Sequence, residues 1–575
     1  MRNGKIISII FLIVGFTFSG MILFADALGL DDHSGWGRLR IMAFTASLSV
    51  MVFAALYLLF PGWLEQIAAK LRAGIGLNPL VSSLRKSRLA AFAREYSFTF
   101  PIMAFVILIY IWLVSSGTWT TWVSPTRYYA DLARGFERGK LFMAITPDPM
   151  LAELPNPYDP SARKEQEIET PFDVTYFNER YYLYWGPVPA LMLVPVQSVF
   201  HGRVGDLQLT FGFTCGIFIL LSILIIFIWD RFFHNLPRWM LGTSIFLAGT
   251  ANPVLFMLNN YKGARIYEAA IAGGQFFLVG GLLVAITALG RPSSHWKLAL
   301  AGSLWALSIG ARLTLVLPIG VMAFIMSCSW IVMKGRLLEK IANLFALAIP
   351  LVLGFFAQGW YNWARFGKVT ESGLYYQLAG INLQENYDIL ILPVYFFQNL
   401  YNYLLHPFVF DAQFPFVRVE YGEIQSILPS LPLPRLYSSQ QITGLLAAVP
   451  FVLFASIPFI LLRTGKYMDQ QGRQNTLYWI VLMLGGSFMA AFLFLMFFFW
   501  SAMRYFEDFM PSLLALSVVG FWQGYAALAP ESAARKRFAV LGAALAGVSM
   551  FISILLAISI NDARFEIVRL FSLLK

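Results

Sequence analysis

The chain has 575 residues, 58% of them hydrophobic and 13% charged, with a net charge of +11. Soluble domains sit nearer a quarter charged, and a soluble protein of this make-up would expose large apolar patches, so that class is excluded. The basic residues lie in short loops between apolar segments rather than on one organised face, which excludes a nucleic-acid partner.

Apolar stretches of ~20 residues, enough for a helix to cross a ~30 Å hydrocarbon core, recur along the chain. The fold class is therefore an all-α polytopic integral membrane protein with about thirteen transmembrane helices. In chain order they fall near 5–27, 40–60, 98–117, 209–229, 237–258, 266–290, 297–311, 314–333, 341–360, 442–463, 477–500, 508–528 and 537–560. The first reads as an uncleaved helix rather than a signal peptide: Ala25-Asp26-Ala27 resembles a cleavage site, but the apolar run before it is long for one. With the N-terminus cytoplasmic, the basic clusters fall on one side. They are Lys70 to Arg94, Arg231 to Arg238, Lys334 to Lys340, Arg463 to Arg473 and Arg535 to Arg537. Cys215 and Cys328 lie inside apolar segments and offer no disulfide framework.

This reading divides the chain into four parts. Residues 1–97 form an N-terminal helical hairpin and a basic cytoplasmic loop, and 98–360 a transmembrane core that includes a first outer loop, 118–208. Residues 361–441 form a second outer loop with interfacial helices, and 442–575 the C-terminal transmembrane helices. Both loops are rich in Tyr, Trp, Pro and Asn. Tyr128 to Lys140 reads as an amphipathic helix at the interface. Gly186 to Phe200 is short and proline-rich and reads as a helix dipping into the outer leaflet, while Asp388 to His406 is aromatic and interfacial. Structured loops on a rigid scaffold are where function is expected.

Ionisable residues at the outer ends of apolar helices are costly to bury and are the first functional candidates. Glu268 opens the sixth span, Arg312 sits in the turn between the seventh and eighth, and Arg504 ends the eleventh. Asp173 lies in the first loop just before Arg180-Tyr181-Tyr182-Leu183-Tyr184-Trp185. Carboxylates beside arginines at a lipid–water boundary suit transfer of a sugar from a lipid phosphate. A carboxylate removes the acceptor's proton, and arginine neutralises the departing phosphate by charge-assisted bonds. Each has a structural alternative: arginines that snorkel to headgroups, Glu268 paired with Arg265 or Lys262, Asp173 as a solvated turn residue. Asp131 and Glu137 would face the polar side of the amphipathic helix. No Walker A loop, HExxH or GxSxG motif occurs, and His33, His201, His234, His295 and His406 are scattered.

Several segments together carry a family resemblance. They are Tyr128 to Leu141 (YYADLARGFERGKL), Asn156-Pro157-Tyr158-Asp159-Pro160, Arg180 to Ala190, Tyr267 to Gly273, Tyr361 to Gly367 and Arg504 to Pro511. Over roughly residues 118–515 the chain resembles the GT-C glycosyltransferases of the family 39 type, the protein O-mannosyltransferases and the aminoarabinose transferases that modify lipid A. More narrowly, it is similar to a group of uncharacterised bacterial membrane proteins placed beside them. The resemblance implies an inverting glycosyltransferase of the bacterial cytoplasmic membrane, with its active site facing outside. The donor would be a polyprenyl-phosphate-linked sugar, and the acceptor a glycan, lipid or protein.

The family's first outer acid precedes a Thr-Arg-Tyr-like stretch. Here Ser124-Pro125 precedes Thr126-Arg127-Tyr128, so that role passes to Asp173 or Asp131, with Asp173 preferred. The resemblance assigns the second acid to Glu268, and the phosphate to Arg312 and Arg504. Arg180, Tyr182, Arg127 and Arg265 join them as substrate-binding candidates. No cofactor is fixed by these motifs, and a carboxylate-bound divalent metal ion stays open. The rival is a non-catalytic lipid-glycan carrier, flippase or assembly subunit on the same scaffold. Such a protein would place polar residues near the bilayer midplane, whereas these gather at outer helix ends.

Overall fold

The computed structural model describes residues 2–25, 38–59, 95–200, 204–259, 266–289, 294–332, 336–463, 473–561 and 565. Two helices, α1 (Arg2–Leu23) and α2 (Arg38–Leu59), form an N-terminal hairpin. Arg40 closes it by donating to the carbonyls of Ile22 and Leu23, 2.8 Å each, at the end of α1. A guanidinium there satisfies orphan carbonyls and meets the negative end of the helix.

The body follows as α3 (Thr99–Val114), α4 (Tyr128–Glu137), α5 (Val188–Phe200), α6 (Asp206–Ile228), α7 (Arg238–Thr250), α8 (Ile266–Ala288), α9 (His295–Ala311), α10 (Val316–Val332) and α11 (Leu337–Phe366). After the second long loop and its helix α12 (Phe396–Leu404) come α13 (Arg473–Met496), α14 (Met510–Ala527) and α15 (Ala533–Ser559). Small residues let the helices close on one another, as in membrane bundles generally. A side chain at Gly281 would run into the Trp305 indole between α8 and α9, and one at Gly302 into the Leu347 carbonyl between α9 and α11. From Met510 to Gly524 every residue of α14 is buried. A helix apolar all round belongs inside a bundle.

Six described helices are long and apolar enough to cross a membrane: Asp206–Phe233, Ile266–Ala288, Leu313–Val332, Leu337–Phe366, Thr476–Met496 and Ala533–Ser559. The pair Arg238–Thr250 and Pro253–Asn259, bent by 52° at its break, makes a seventh if counted as one span. Length and composition therefore account for about half of the expected crossings. Other segments are helical but shorter, as in the 16-residue α3. The expected continuous span over 442–463 is instead three pieces, Leu445–Ala448, Pro450–Ser456 and Ile457–Arg463. Pro450 and Pro458 lack the N–H that an unbroken helix needs there.

The two long loops, 118–208 and 361–441, form one body, which the sequence did not reveal. Strands β1 (Thr175–Phe177) and β2 (Arg180–Tyr182) pair antiparallel in the first loop. The second loop then joins them through the Leu378 N–H to Val174 O bond of 2.8 Å and the Thr175 hydroxyl to Gly373 O bond of 3.0 Å. Arg163 donates to Pro157 O in its own loop and to Ala379 O in the other. Arg365, buried at the end of α11, reaches Leu183 O at 2.6 Å and stacks on Tyr361. In α4 the apolar face, Tyr129, Leu132 and Ala133, is covered by protein, including Ala269 and Ala270 of α8. The expected amphipathic helix is present, but a protein core, not lipid headgroups, covers that face.

The second loop is tied to α13 by α12. Asn399, fully buried, brings Nδ2 to the carbonyls of Leu495, Met496 and Phe498, and its oxygen accepts from Tyr437. Asn399→Ala strands these groups in an apolar surround, so an unfolding loss of ~2–3 kcal/mol is expected in detergent-solubilised thermal or denaturant melts. A change within ~0.5 kcal/mol would show that the carbonyls find other donors.

Candidate functional site

Asp173 sits at the tight entry to β1 with φ 55°, the left-handed region that few residues other than Gly, Asn and Asp adopt. That turn places its carboxyl in a cavity of about 340 Å³, the size of a small-ligand site. Its polar lining residues include Asp173, Tyr184, Tyr267, Gln377, Arg504 and Tyr505, and its apolar ones include Leu383, Leu390, Phe498 and Phe499. Burial pushes the Asp173 carboxyl up to about 7, against the opposing influence of Arg504, a hydrogen bond from Gln377, and Arg163. A carboxyl poised there changes protonation state near neutral pH, as a general base requires.

Arg504 comes from a single 3₁₀ segment, Met503–Asp508, that ends at α14. Its Nη1 donates to Gln440 Oε1 at 2.6 Å, and its guanidinium lies 4.4 Å from the Tyr267 ring centroid and 5.3 Å from that of Tyr505. Its Nε is buried with no hydrogen-bond partner. Glu268, wholly buried in the first turn of α8, is electrostatically coupled to Arg504. The same guanidinium therefore acts on both Asp173 and Glu268.

The same segment turns its two acids inward. Asp508 takes the fork of Arg312, with Nε to Oδ1 and Nη2 to Oδ2 both at 2.7 Å. Glu507 accepts from Asn252 at 2.8 Å, at the break after α7. Breaking a buried pair strands a charge, so Arg312→Met alone is expected to destabilise by ~3–5 kcal/mol, and Arg312→Met with Asp508→Leu to recover most of it. Melts of the three variants check this, and an equally unstable double variant would contradict it.

The remaining expected residues lie elsewhere. Arg312 is not among the residues lining the cavity; two of its nitrogens face Asp508. Asp131 pairs with Arg134 at 3.6 Å along α4. Arg127 is exposed just before α4, and Arg180 is exposed with its guanidinium 4.7 Å from the Phe142 ring centroid. Tyr182 is buried edge-on against Phe142 and Phe366. Arg265 and Lys262 lie outside the described residues. Among the described residues no three His, Cys, Asp or Glu side chains group as a metal site.

Sequence reasoning missed Gln377 and Gln440, neutral side chains with no pattern to mark them. It also missed Asp206 and Asp508. Asp206, fully buried at the start of α6, accepts from the Thr126 hydroxyl at 2.6 Å and from the N–H groups of Tyr128 and Tyr129. It thus holds the Thr126-Arg127-Tyr128 stretch from 80 residues away. An acid placed at the head of an apolar helix was the signal, since burial there requires partners.

No family model matches this chain, and no curated protein does. Among solved structures it is similar to the Archaeoglobus fulgidus oligosaccharyltransferase. To the apo form the TM-score is 0.42 at 12% identity, covering 80% of this chain and 56% of that one. To the form tethered by a disulfide to an acceptor peptide containing the NVT sequon it is 0.39 at 13%, covering 81% and 56%. The chain thus spans little more than half the length of those proteins. Similarity at this level bears on neither activity nor substrate.

Proposed function

We propose that this protein is an inverting glycosyltransferase of GT-C type that moves a sugar from a polyprenyl-phosphate-linked donor to an acceptor at the outer face of the bacterial cytoplasmic membrane. The membrane topology in this reading has about thirteen crossings and a cytoplasmic N-terminus. One observation carries the proposal: a carboxyl held near neutrality and a buried, incompletely partnered arginine line one cavity together with apolar residues.

Asp173 takes the proton of an acceptor hydroxyl as that oxygen attacks the anomeric carbon from the face opposite the phosphate. The bond from that carbon to the phosphate oxygen breaks, and the polyprenyl phosphate departs with the electron pair. Arg504 stabilises the charge that gathers there, the kind of preorganised interaction that usually dominates catalysis. Glu268 holds Arg504 in place. The phenyl and leucyl residues of the cavity receive the first isoprenyl units.

The test is release of free polyprenyl phosphate by purified protein in proteoliposomes, given a panel of polyprenyl-phosphate sugars and an envelope acceptor fraction. Release dependent on one donor supports the transferase. Binding of donors without any release supports the carrier reading instead.

A further inference from the structure

Arg504 also borders a second cavity, of about 390 Å³, which Asp173 does not line. Its wall is a small sheet. β3 (Ser438–Ser439) pairs in parallel with β4 (Trp500–Ser501), and Tyr421 bridges antiparallel to Gln441. The chemistry of this wall differs from that of the first cavity. Hydroxyl- and amide-bearing residues Ser438, Ser439, Gln440, Gln441 and Tyr421 line it beside Phe256, Met503 and Ile560; among the described residues no carboxylate lines it and Arg504 is the one cation. Trp500 adds an aromatic surface.

Amide and hydroxyl groups that both donate and accept, beside an aromatic ring, suit a ligand rich in hydroxyls. We infer that this second cavity binds the neutral carbohydrate part of a glycan. Gln441 and Ser438 hydrogen-bond its hydroxyls, and Trp500 lies against a sugar ring. Gln440, Trp500 and Arg504 line both cavities, so the bound glycan and the occupant of the first cavity meet at Arg504. That this glycan is the acceptor rests on the transferase reading above; that it binds does not.

The experiment is equilibrium binding of neutral hexose tri- to hexasaccharides to the purified full-length protein, beside counterparts of equal length containing uronic acids. The same titrations are run on Gln441→Ala and Ser438→Val, with binding of farnesyl phosphate as the control for the first cavity. The inference predicts that neutral saccharides bind, that uronic-acid forms bind no better, and that each substitution weakens saccharide affinity about tenfold, the worth of one hydrogen bond. Farnesyl phosphate affinity stays unchanged in both variants, which also shows that they fold. No neutral saccharide binding by the unaltered protein, a preference for the acidic forms, or binding indifferent to both substitutions would overturn it. Saccharide binding in a protein that releases no polyprenyl phosphate would leave this site standing and defeat the transferase reading alone.

Discussion

On the proposed function, Asp173→Asn is expected to stop sugar transfer and, at pH 8, to make the protein more stable. The first effect is loss of the base, expected at ~100- to 10,000-fold in rate. The second follows from burial. The carboxyl is pushed up to about 7, far above its unfolded value of ~3.9, so the folded state holds a proton that the unfolded chain has already released. Its contribution to stability is full below the unfolded value and is lost as pH rises through about 7. Above pH 8 the ionised carboxylate costs on the order of 4 kcal/mol, a cost that the neutral amide avoids. The gain of the variant over the parent is therefore largest above pH 8, shrinks as pH falls, and vanishes near pH ~4. Asparagine also tolerates the φ of 55° at this position, which Ala would not. Melts of both proteins between pH 5 and 8 check the account. A variant less stable than the parent at pH 8 would mean that Arg504 and Arg163 outweigh burial.

Arg504→Gln is the second large effect, and it falls on both activity and stability. Removing the donor that faces the departing phosphate is expected to cost ~100- to 1,000-fold in transfer. It also takes a counter-charge from the buried Glu268, to which Arg504 is coupled, and a loss of ~3–5 kcal/mol follows. Adding Glu268→Gln removes the buried charge on which Arg504 acts, so the double variant regains part of the stability and none of the activity. Arg504→Lys restores neither. A lysine ammonium does not reproduce a fork that bonds Gln440 while stacking on Tyr267. Because Arg504 favours ionised Asp173, residual activity in Arg504→Gln should need a higher pH. Additive losses in the Glu268 and Arg504 double variant would contradict the coupling.

The apolar periodicity made the helices legible, because a lipid-solvated chain must bury its backbone in them. It could not show that 442–463 breaks into short turns, since proline in an apolar run is compatible with a kinked span as well. Asp173 stood out because it precedes the Tyr-rich stretch of the first loop, and Glu268 and Arg504 because charge at the edge of an apolar segment is costly. For the same reason Arg312 stood out, although the structure engages two of its nitrogens with Asp508. A sequence shows that a buried charge needs a partner but not which partner it takes. The joining of the two long loops through Arg163, Arg365 and Thr175 runs over contacts up to 216 residues apart, beyond any local pattern. Gln377 and Gln440, which touch Asp173 and Arg504, were invisible because a neutral amide in a loop is ordinary.

The most direct test of the account is the pH dependence of polyprenyl phosphate release by the unaltered protein under limiting donor. With Asp173 as base, the rate rises with pH along a single limb whose midpoint lies at about 7 and then levels, and Asp173→Asn removes the limb together with the activity. A rate independent of pH between 5 and 9, or release that survives in Asp173→Asn with its profile intact, would contradict it.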